Sequence, residues 1–483
     1  MPFLPPSDLP DLERFEHPLA SRYASKAMVR LLSPLYRMRV WRRLWAALAE
    51  CEMEMGLPVS PEQVSEMKST QDDVDLASIA AYESQLRHDV MAAIHAWGDQ
   101  APRARPIIHL GATSCFVTDN GDLLIAHECF RLLRQRLLDV IAALSQFADK
   151  WKSQPALGFT HFQPAQPTTV GKRATLWIQD LLLDLADLDH IIGTTPIRGI
   201  KGTTGTQASF LELFEGDGEK VDALEKRFCE EVRFPAIPVT GQTATRKLED
   251  RMGQVLCGIA ASASKFACDL RLLQHLKEIE EPFEKKQIGS SAMPYKRNPM
   301  RSERINSLAR FVLGLMPSSY QTSATQWMER TLDDSAHRRL TVSQGFLAAD
   351  AILVLYKNVA SGLVVYPKMI EARLGQELPF MAAEALLMEA VKRGGDRQDL
   401  HEKFRQAALE AGRAIKEEGC PNPLTALLAD DGAWRMTERE LAALLDAKRF
   451  TGRAADQVAA FINGPVAQAL KGHSVGGGDE VRV

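Results

Sequence analysis

The sequence predicts an all-α protein built around an elongated bundle of long helices, and three observations predict it. Apolar residues recur at alternating steps of three and four over stretches well beyond the average helix of roughly 11–12 residues. The resulting stripes have the form of helix–helix seams. Strand-like alternation is scarce, with residues 233–239 ("RFPAIPV") the best short candidate.

Taken in order, Ile79, Tyr82, Leu86, Val90, Ile94 and Trp97 form a stripe on one helix. After Asp119-Asn120-Gly121, positions Leu123, Ala126, Phe130, Leu133, Leu137, Val140, Leu144 and Phe147 form a longer one, with Asp119 or Asn120 as its cap. Two further runs extend from about Thr175 to Ile192 and from about Arg338 to Ala360. Between them Val255, Ile259, Ala263, Phe266, Leu270 and Leu273 repeat the pattern. At 483 residues the chain exceeds one core. Breaks in the pattern divide it into an N-terminal helical domain (1–112), ending in the proline-broken stretch 102–106, a central long-helix domain (113–365), and a C-terminal helical domain (366–483). The last has a Gly/Pro/Asn interruption at 419–423 and a tail, "GHSVGGGDEVRV", expected to be disordered.

Composition narrows the function. With 58 basic and 62 acidic residues the formal net charge is −4, so no global field favours nucleic acid or membrane. A small anion held by a few arginines stays open. Seven scattered cysteines without a CxxC pair suit free thiols in a reducing compartment. The start, Met1-Pro2-Phe3-Leu4-Pro5-Pro6, has no basic stretch followed by an apolar run, so no secretory signal is expected. No stretch approaches the roughly 18 uncharged apolar residues of a membrane span. The expected location is cytoplasmic.

Four segments carry the candidate chemistry. Gly289-Ser290-Ser291-Ala292-Met293-Pro294-Tyr295-Lys296-Arg297-Asn298-Pro299 interrupts two long helices with small residues, prolines and a Lys-x-Asn pair. Glycine and serines can turn N–H groups and hydroxyls toward an anion, and Lys296 and Asn298 can hold a carboxylate beside a forming carbanion. A solvated loop with incidental Ser and Lys is the plain alternative. In Gly158–Thr169, Pro164 and Pro167 argue against a continuous helix and leave His161 on a constrained loop, either catalytic or simply exposed. His88, in Arg87-His88-Asp89-Val90, lies half a turn from its helix's stripe and shares a face with His95. A solvated polar face is the favoured reading of the residues alone, and suitably spaced ligands for a metal are not evident. In 330–339 ("RTLDDSAHRR"), Asp334 or Ser335 would cap a helix, and Ser335 and Arg339 fall one turn apart, as in a phosphate cradle or a capped basic surface. No GxxxxGK[ST], strand-borne GxGxxG, HExxH or nucleophile elbow occurs, so no metal or organic cofactor is expected.

With these segments assembled, the chain resembles the fumarase/aspartase superfamily and, within it, the eukaryotic type of the adenylosuccinate lyase family. Residues 289–299 match the superfamily pattern GSSxMPxKxNP at every fixed position. "PLASRYAS" (18–25), "LRHDVMA" (86–92), "HLGATSCFVTDN" (109–120), "GFTHFQPAQPTTVGKR" (158–173), "KGTTGTQASF" (201–210) and "ERTLDDSAHRR" (329–339) match the narrower family. The likeness runs from about Pro18 to Phe461. The first dozen residues, about 420–435 and the tail fit poorly, and nothing is carried onto them.

The resemblance implies three all-helical domains, a homotetramer whose central helices form a common bundle, active sites shared between subunits, and no cofactor. It implies β-elimination of fumarate from small succinylated purine nucleotides: adenylosuccinate, and the succinylated aminoimidazole carboxamide ribotide. By the same resemblance Ser290 is the general base, its alkoxide stabilised by loop N–H groups and Lys296. His161 is the general acid at the departing nitrogen. Lys296 and Asn298 hold the carboxylate that takes up the carbanion's charge, and His88 supports the site. Arg22, Tyr23, Arg87, Asp89, Thr113, Ser114, Gln242, Arg304, Arg330, Ser335 and Arg339 correspond to substrate-binding positions. Argininosuccinate lyase and fumarase share the loop, but "SRYAS", "RHDV" and "ERTLDDSAHRR" favour the purine substrate. A scaffold protein on the same bundle is a further alternative, against which His161, Ser290 and Lys296 together weigh.

Overall fold

Ser33 and Pro34 illustrate how the first long helix begins. Ser33 Oγ accepts the Tyr36 amide at 3.2 Å, and Pro34 fills the first turn, where a missing N–H costs nothing. The computed structural model describes residues 15–284, 286–474 and 476. After a π-helical turn at Leu19–Tyr23 come α1 (Lys26–Leu31), α2 (Pro34–Glu54), α3 (Pro61–Thr70), α4 (Leu76–Leu86) and α5 (Asp89–Gln100). Next are α6 (Ser114–Lys150), a hairpin of β1 (Pro155–Thr160) and β2 (Gln163–Thr169), α7 (Val170–Thr194), α8 (Ala208–Leu213), α9 (Gly218–Val232) and α10 (Lys247–His275). A short β3 (Ile279–Glu280), α11 (Met300–Ala324), α12 (Asp334–Ser361) and β4 (Val364–Val365) complete the bundle. There follow α13 (Pro367–Met381), α14 (Ala383–Lys392), α15 (Arg397–Arg413), α16 (Leu424–Asp430), α17 (Glu438–Leu444) and α18 (Ala454–Phe461).

The stripes predicted on α6 and α10 lie in the core. Leu133, Leu137, Val140 and Leu144 of α6 and Ile259, Ala263, Phe266 and Leu270 of α10 are all fully buried. Contacts between facing residues give the directions of the rods. Arg136 of α6 pairs with Asp350 of α12 at 2.6 Å, and Phe266 of α10 stacks on Tyr356 of α12 with ring centres 4.2 Å apart. Closer to the helix starts, Arg338 of α12 reaches Glu249 of α10 at 2.6 Å, so α6, α10 and α12 run parallel. Two helices return. Trp177 of α7 donates to Asp269 of α10 at 2.8 Å, and Gln254 of α10 donates to Tyr320 of α11 at 2.7 Å. The bundle therefore has one end where α6, α10 and α12 begin and another where they finish. At a rise of 1.5 Å per residue the 29 residues of α10 separate those ends by about 43 Å.

By length and composition α12 would suffice to cross a membrane, but Phe346, Ala348, Ile352 and Tyr356 are wholly buried among its neighbours. Residues 382–445 hold a separate small core around Leu386, Leu400, Trp434 and Leu441, whereas Val458 of α18 returns to the main one.

Several local expectations are corrected. The stripe from Ile79 to Trp97 is two helices, because Arg87 adopts φ 54° and His88 caps α5. Asp119 and Asn120 do not cap α6, which starts five residues earlier at Ser114; both are buried inside it. Asp119 accepts the Ala244 amide at 2.7 Å, and Asn120 exchanges two hydrogen bonds with the Gly199 backbone. Neither Asp334 nor Ser335 caps α12, since Asp333 occupies that position and makes no side-chain cap bond. Residues 233–239 supply only an isolated bridge, Ile197 to Ala236, while the β-hairpin at 155–169 lies where a loop was expected. Of the tail expected to be disordered, residues 475 and 477–483 fall outside the described ones, as do residues 1–14. His473 and Gly476, however, both bond Asp139, at 3.0 and 3.1 Å.

Candidate active site

At the end of the bundle where α6, α10 and α12 begin, the break between α4 and α5 turns His88 outward. Its Nδ1 accepts the Met91 amide at 3.3 Å. A neutral ring then carries its proton on Nε2, which lies 3.5 Å from Ser114 Oγ at the start of α6. Beside it a cavity of about 560 Å³ is lined by Arg87, His88, Asp89, Ser114, Gln242, Arg330, Ser335 and Arg339. Thr113 stands at its edge, where Gln242 Nε2 approaches Thr113 Oγ1 at 3.4 Å. Arg339 pairs with Asp89 at 3.0 Å across the opening. Three guanidinium groups, an imidazole, a primary amide and two serine hydroxyls facing one space suit an oxygen-rich polyanion.

Under this wall lies a buried ionic cluster. Arg246, at the head of α10, contacts Asp334 at 2.7 Å and Asp119 at 3.1 Å. Arg338 reaches Glu249 at 2.6 Å and Asp122 at 3.4 Å. Burial alone would raise the Asp119 carboxyl, but Arg246 and Arg338 together hold it below the ordinary range. Glu249 goes the other way, because burial outweighs the same two cations. Nearby His109 adopts φ 74° and accepts a hydrogen bond from Trp45 Nε1 at 2.9 Å; burial, then His88, pushes it down to about 4, leaving it neutral.

The other expected catalytic residues are at the far end. His161 sits at the exposed tip of the β1–β2 hairpin with φ 52°. Pro164 and Pro167 pair across that hairpin without the ladder donors they lack, consistent with a two-stranded ribbon. The 289–299 loop leaves the end of α10, and Gln274 of its last turn donates to the Arg297 carbonyl at 3.0 Å. Half-buried Ser290 accepts the Met293 amide at 3.2 Å through Oγ, so a backbone N–H already faces the hydroxyl that would carry negative charge. Lys296 is exposed, and Asn298 Nδ2 donates to the Gly289 carbonyl at 2.7 Å, holding the loop closed on itself. Just beyond, Arg304 of α11 lies 5.5 Å over the Tyr23 ring, and Arg22 lies 5.9 Å from the same ring. Arg304 Nη1 is buried without a hydrogen-bond partner, and burial lowers its pKa, an arrangement that an arriving anion would relieve.

The structure thus brings Arg87, His88, Asp89, Thr113, Ser114, Gln242, Arg330, Ser335 and Arg339 together. It leaves Arg22, Tyr23, His161, Ser290, Lys296, Asn298 and Arg304 at the opposite end of the same chain. His95 stacks on Tyr82 with ring centres 5.4 Å apart, and among the described residues no cluster of His, Cys, Asp and Glu suits a metal ion. Asp119, Arg246, Glu249, Asp334 and Arg338 line the cavity too; the sequence reading offers Asp119 and Asp334 as helix caps and names none of the five as a site residue. Their signal was present, since Asp119 is in phase with Leu123 and Arg338 with Phe346, charges on an apolar stripe.

The family model described as Lyase matches residues 59–314, and the one described as Adenylosuccinate lyase C-terminus matches residues 379–461. Adenylosuccinate lyase of Saccharomyces cerevisiae is 48% identical over 467 residues, covering 96% of this chain and 97% of that one. Its counterpart in Schistosoma mansoni is 45% identical over 463 residues, covering 95% and 96%. Among solved structures, 3-carboxy-cis,cis-muconate lactonizing enzyme from Pseudomonas putida superposes with a TM-score of 0.79 at 23% identity, covering 94% of this chain and 99% of that one. Fumarate lyase from Mesorhizobium sp. BNC1 gives 0.76 at 22% identity, covering 92% and 99%. At such identities these two structures share the fold and speak to nothing more.

Proposed function

This chain belongs to the adenylosuccinate lyase family, and on that premise we propose how its residues divide the reaction. It is a carbon–nitrogen lyase that eliminates fumarate from adenylosuccinate, giving AMP, in purine nucleotide biosynthesis. It acts likewise on the succinylated aminoimidazole carboxamide ribotide, which carries the same succinyl-nitrogen linkage.

Ser290 removes a proton from the succinyl carbon next to the bond that breaks, with its alkoxide supported by loop N–H groups and the Lys296 ammonium. Lys296 and Asn298 hold the carboxylate over which the carbanion's charge spreads. Asn298 Nδ2 has a second hydrogen for that carboxylate while its first keeps the Gly289 carbonyl. His161 delivers a proton to the departing nitrogen as the general acid. His88, Ser114, Gln242, Arg330, Ser335 and Arg339 bind the nucleotide's anionic and polar groups, with Arg87, Asp89 and Thr113 at the rim. Arg22, Tyr23 and Arg304 complete binding from another subunit.

The observation that carries this reading is the separation of the two residue sets by the length of α10, about 43 Å. Neither half is a site alone. A homotetramer sharing its active sites brings one subunit's loop and hairpin to another's cavity. Leu176 and Leu183 of α7, Leu272 of α10, Phe311 and Leu313 of α11 and Leu340 of α12 support it, being exposed apolar residues on the long helices. Free thiols throughout the seven cysteines fit a cytoplasmic enzyme. The test is turnover of adenylosuccinate followed by absorbance. Fumarate release from it and none from argininosuccinate is expected, and the reverse preference would overturn the assignment.

A further inference from the structure

We propose that Arg246 is a positioning residue, clamped between Asp119 of α6 and Asp334 of α12 so as to fix how α12 presents Ser335 and Arg339 to the substrate. This rests on the assignment of Ser335 and Arg339 to nucleotide binding. Arg246 is 3% exposed and its two carboxylate partners 1% each, so three charges are buried where three separate elements meet. Removing each ion from water opposes folding, and an apolar trio of similar volume would often stabilise the fold as well. What the ion cluster adds is direction. A guanidinium has its donors in a fixed plane, and here Nη1 and Nη2 donate to the two Asp119 oxygens at 3.1 and 3.5 Å while Nε stands 2.7 Å from Asp334 as an ion pair without a hydrogen bond.

The spacing along α12 shows what is being directed. Asp334 and Arg338, one turn apart, face inward and engage Arg246, Glu249 and Asp122. Ser335 and Arg339, the next residues around the helix, are likewise one turn apart and line the cavity. All four line the cavity, but Asp334 and Arg338 are the more buried members and Arg339 is exposed, so the first pair is a clamp and the second its working face. Nothing local substitutes for it, because the caps of both α6 and α12 make no side-chain bond to their own first turns. With side chains about 5–6 Å from the helix axis, a rotation of about 10° moves the outward pair by about 1 Å. Misplacement on that scale can cost about a hundredfold in rate.

The test uses Arg246→Lys, which keeps the charge but cannot bridge both carboxylates through a planar fork, alongside Arg246→Met. Steady-state kinetics, AMP binding by calorimetry and a thermal melt are measured on each. The expected result for Arg246→Lys is a KM raised about tenfold and AMP binding weakened equally, with kcat changed less and the melt close to wild type. Arg246→Met should be worse in KM. If KM and AMP affinity stay at wild-type values while activity falls only with the folded fraction, Arg246 merely holds the fold and the proposal is overturned. Should the arginine variants not fold, Asp334→Asn, isosteric but without the charge that pairs with Arg246, carries the same readouts. Arg339→Ala serves as the control on the premise. An unchanged KM there shows that the wall itself, rather than its clamp, has been misassigned.

Discussion

Asn298 closes the 289–299 loop on itself, donating from Nδ2 to the Gly289 carbonyl at 2.7 Å across the residues that include Ser290 and Lys296. The loop is thus a preformed ring in which Ser290, the proposed base, accepts the Met293 amide while Lys296 remains at the surface.

Ser290→Ala should abolish turnover while AMP binding persists, since the hydroxyl acts in the transition state and the nucleotide wall lies elsewhere. Rapid kinetics and calorimetry on the same preparation test this. A variant retaining more than about a tenth of the wild-type rate, a loss under ~1.4 kcal/mol, would remove Ser290 from the role of base. Ser291 would be the next to examine.

Gly289→Ala should inactivate the enzyme without unfolding it. A Cβ at that position would stand 2.1 Å from the Lys296 carbonyl oxygen, a backbone atom that cannot swing aside. The ring must open, displacing Ser290, whereas the cores are distant from it. Loss of kcat with an unchanged melting temperature is expected, and retention of full activity would show that the closed ring is not the working conformation.

His161→Ala and Ser290→Ala, each inactive alone, should regain partial activity when unfolded, mixed and refolded together. Some sites in a hybrid assembly then inherit neither lesion. A mixture that stays inactive, with hybrids confirmed by native mass measurement, would place both residues of each site on one chain.

Glu52 predicts an unusual pH dependence of stability. It is 1% exposed on α2, its Oε1 has no hydrogen-bond partner, and burial pushes its carboxyl up to about 9. The unfolded glutamate titrates near 4.3. The folded value is the higher one, so this group's contribution is fully present below about pH 4.3 and is lost as pH rises toward 9. Glu52→Gln should accordingly raise the melting temperature by a few degrees at pH 8.5 and change it little at pH 4. Equal shifts at both values would attribute the effect to packing instead.

The long helices were legible because an apolar period of 3.6 sustained over many turns has one physical meaning, and Leu133 to Leu144 or Ile259 to Leu270 obey it without exception. The break at Arg87 and His88 was hidden because Leu86 and Val90 happen to continue the phase across two helices. The hairpin at 155–169 was hidden by its prolines, which deny a helix and weaken the signal of a strand equally. Arg246 was passed over, and Asp119 and Asp334 read as caps, for another reason. A pattern that sorts residues into apolar and polar sends charges to the surface, and a charge paired with partners 88 to 127 positions away looks no different from a solvated one. The residues with site chemistry were recognisable by type and motif, but that they occupy two ends of one rod is a property of three-dimensional packing alone.

That rod also acts as a ruler. Glu249 faces the cavity at one end of α10 and Gln274 fastens the loop at the other, 25 positions later. At 100° per residue, 25 steps fall about 20° short of seven full turns, so both ends look out from nearly the same side. One inserted or deleted residue between them would swing one end by about 100° and shift it by about 1.5 Å relative to the other. The length of α10 is therefore fixed by two stretches of chemistry at once, and changes of length in this region belong in its flanking connections.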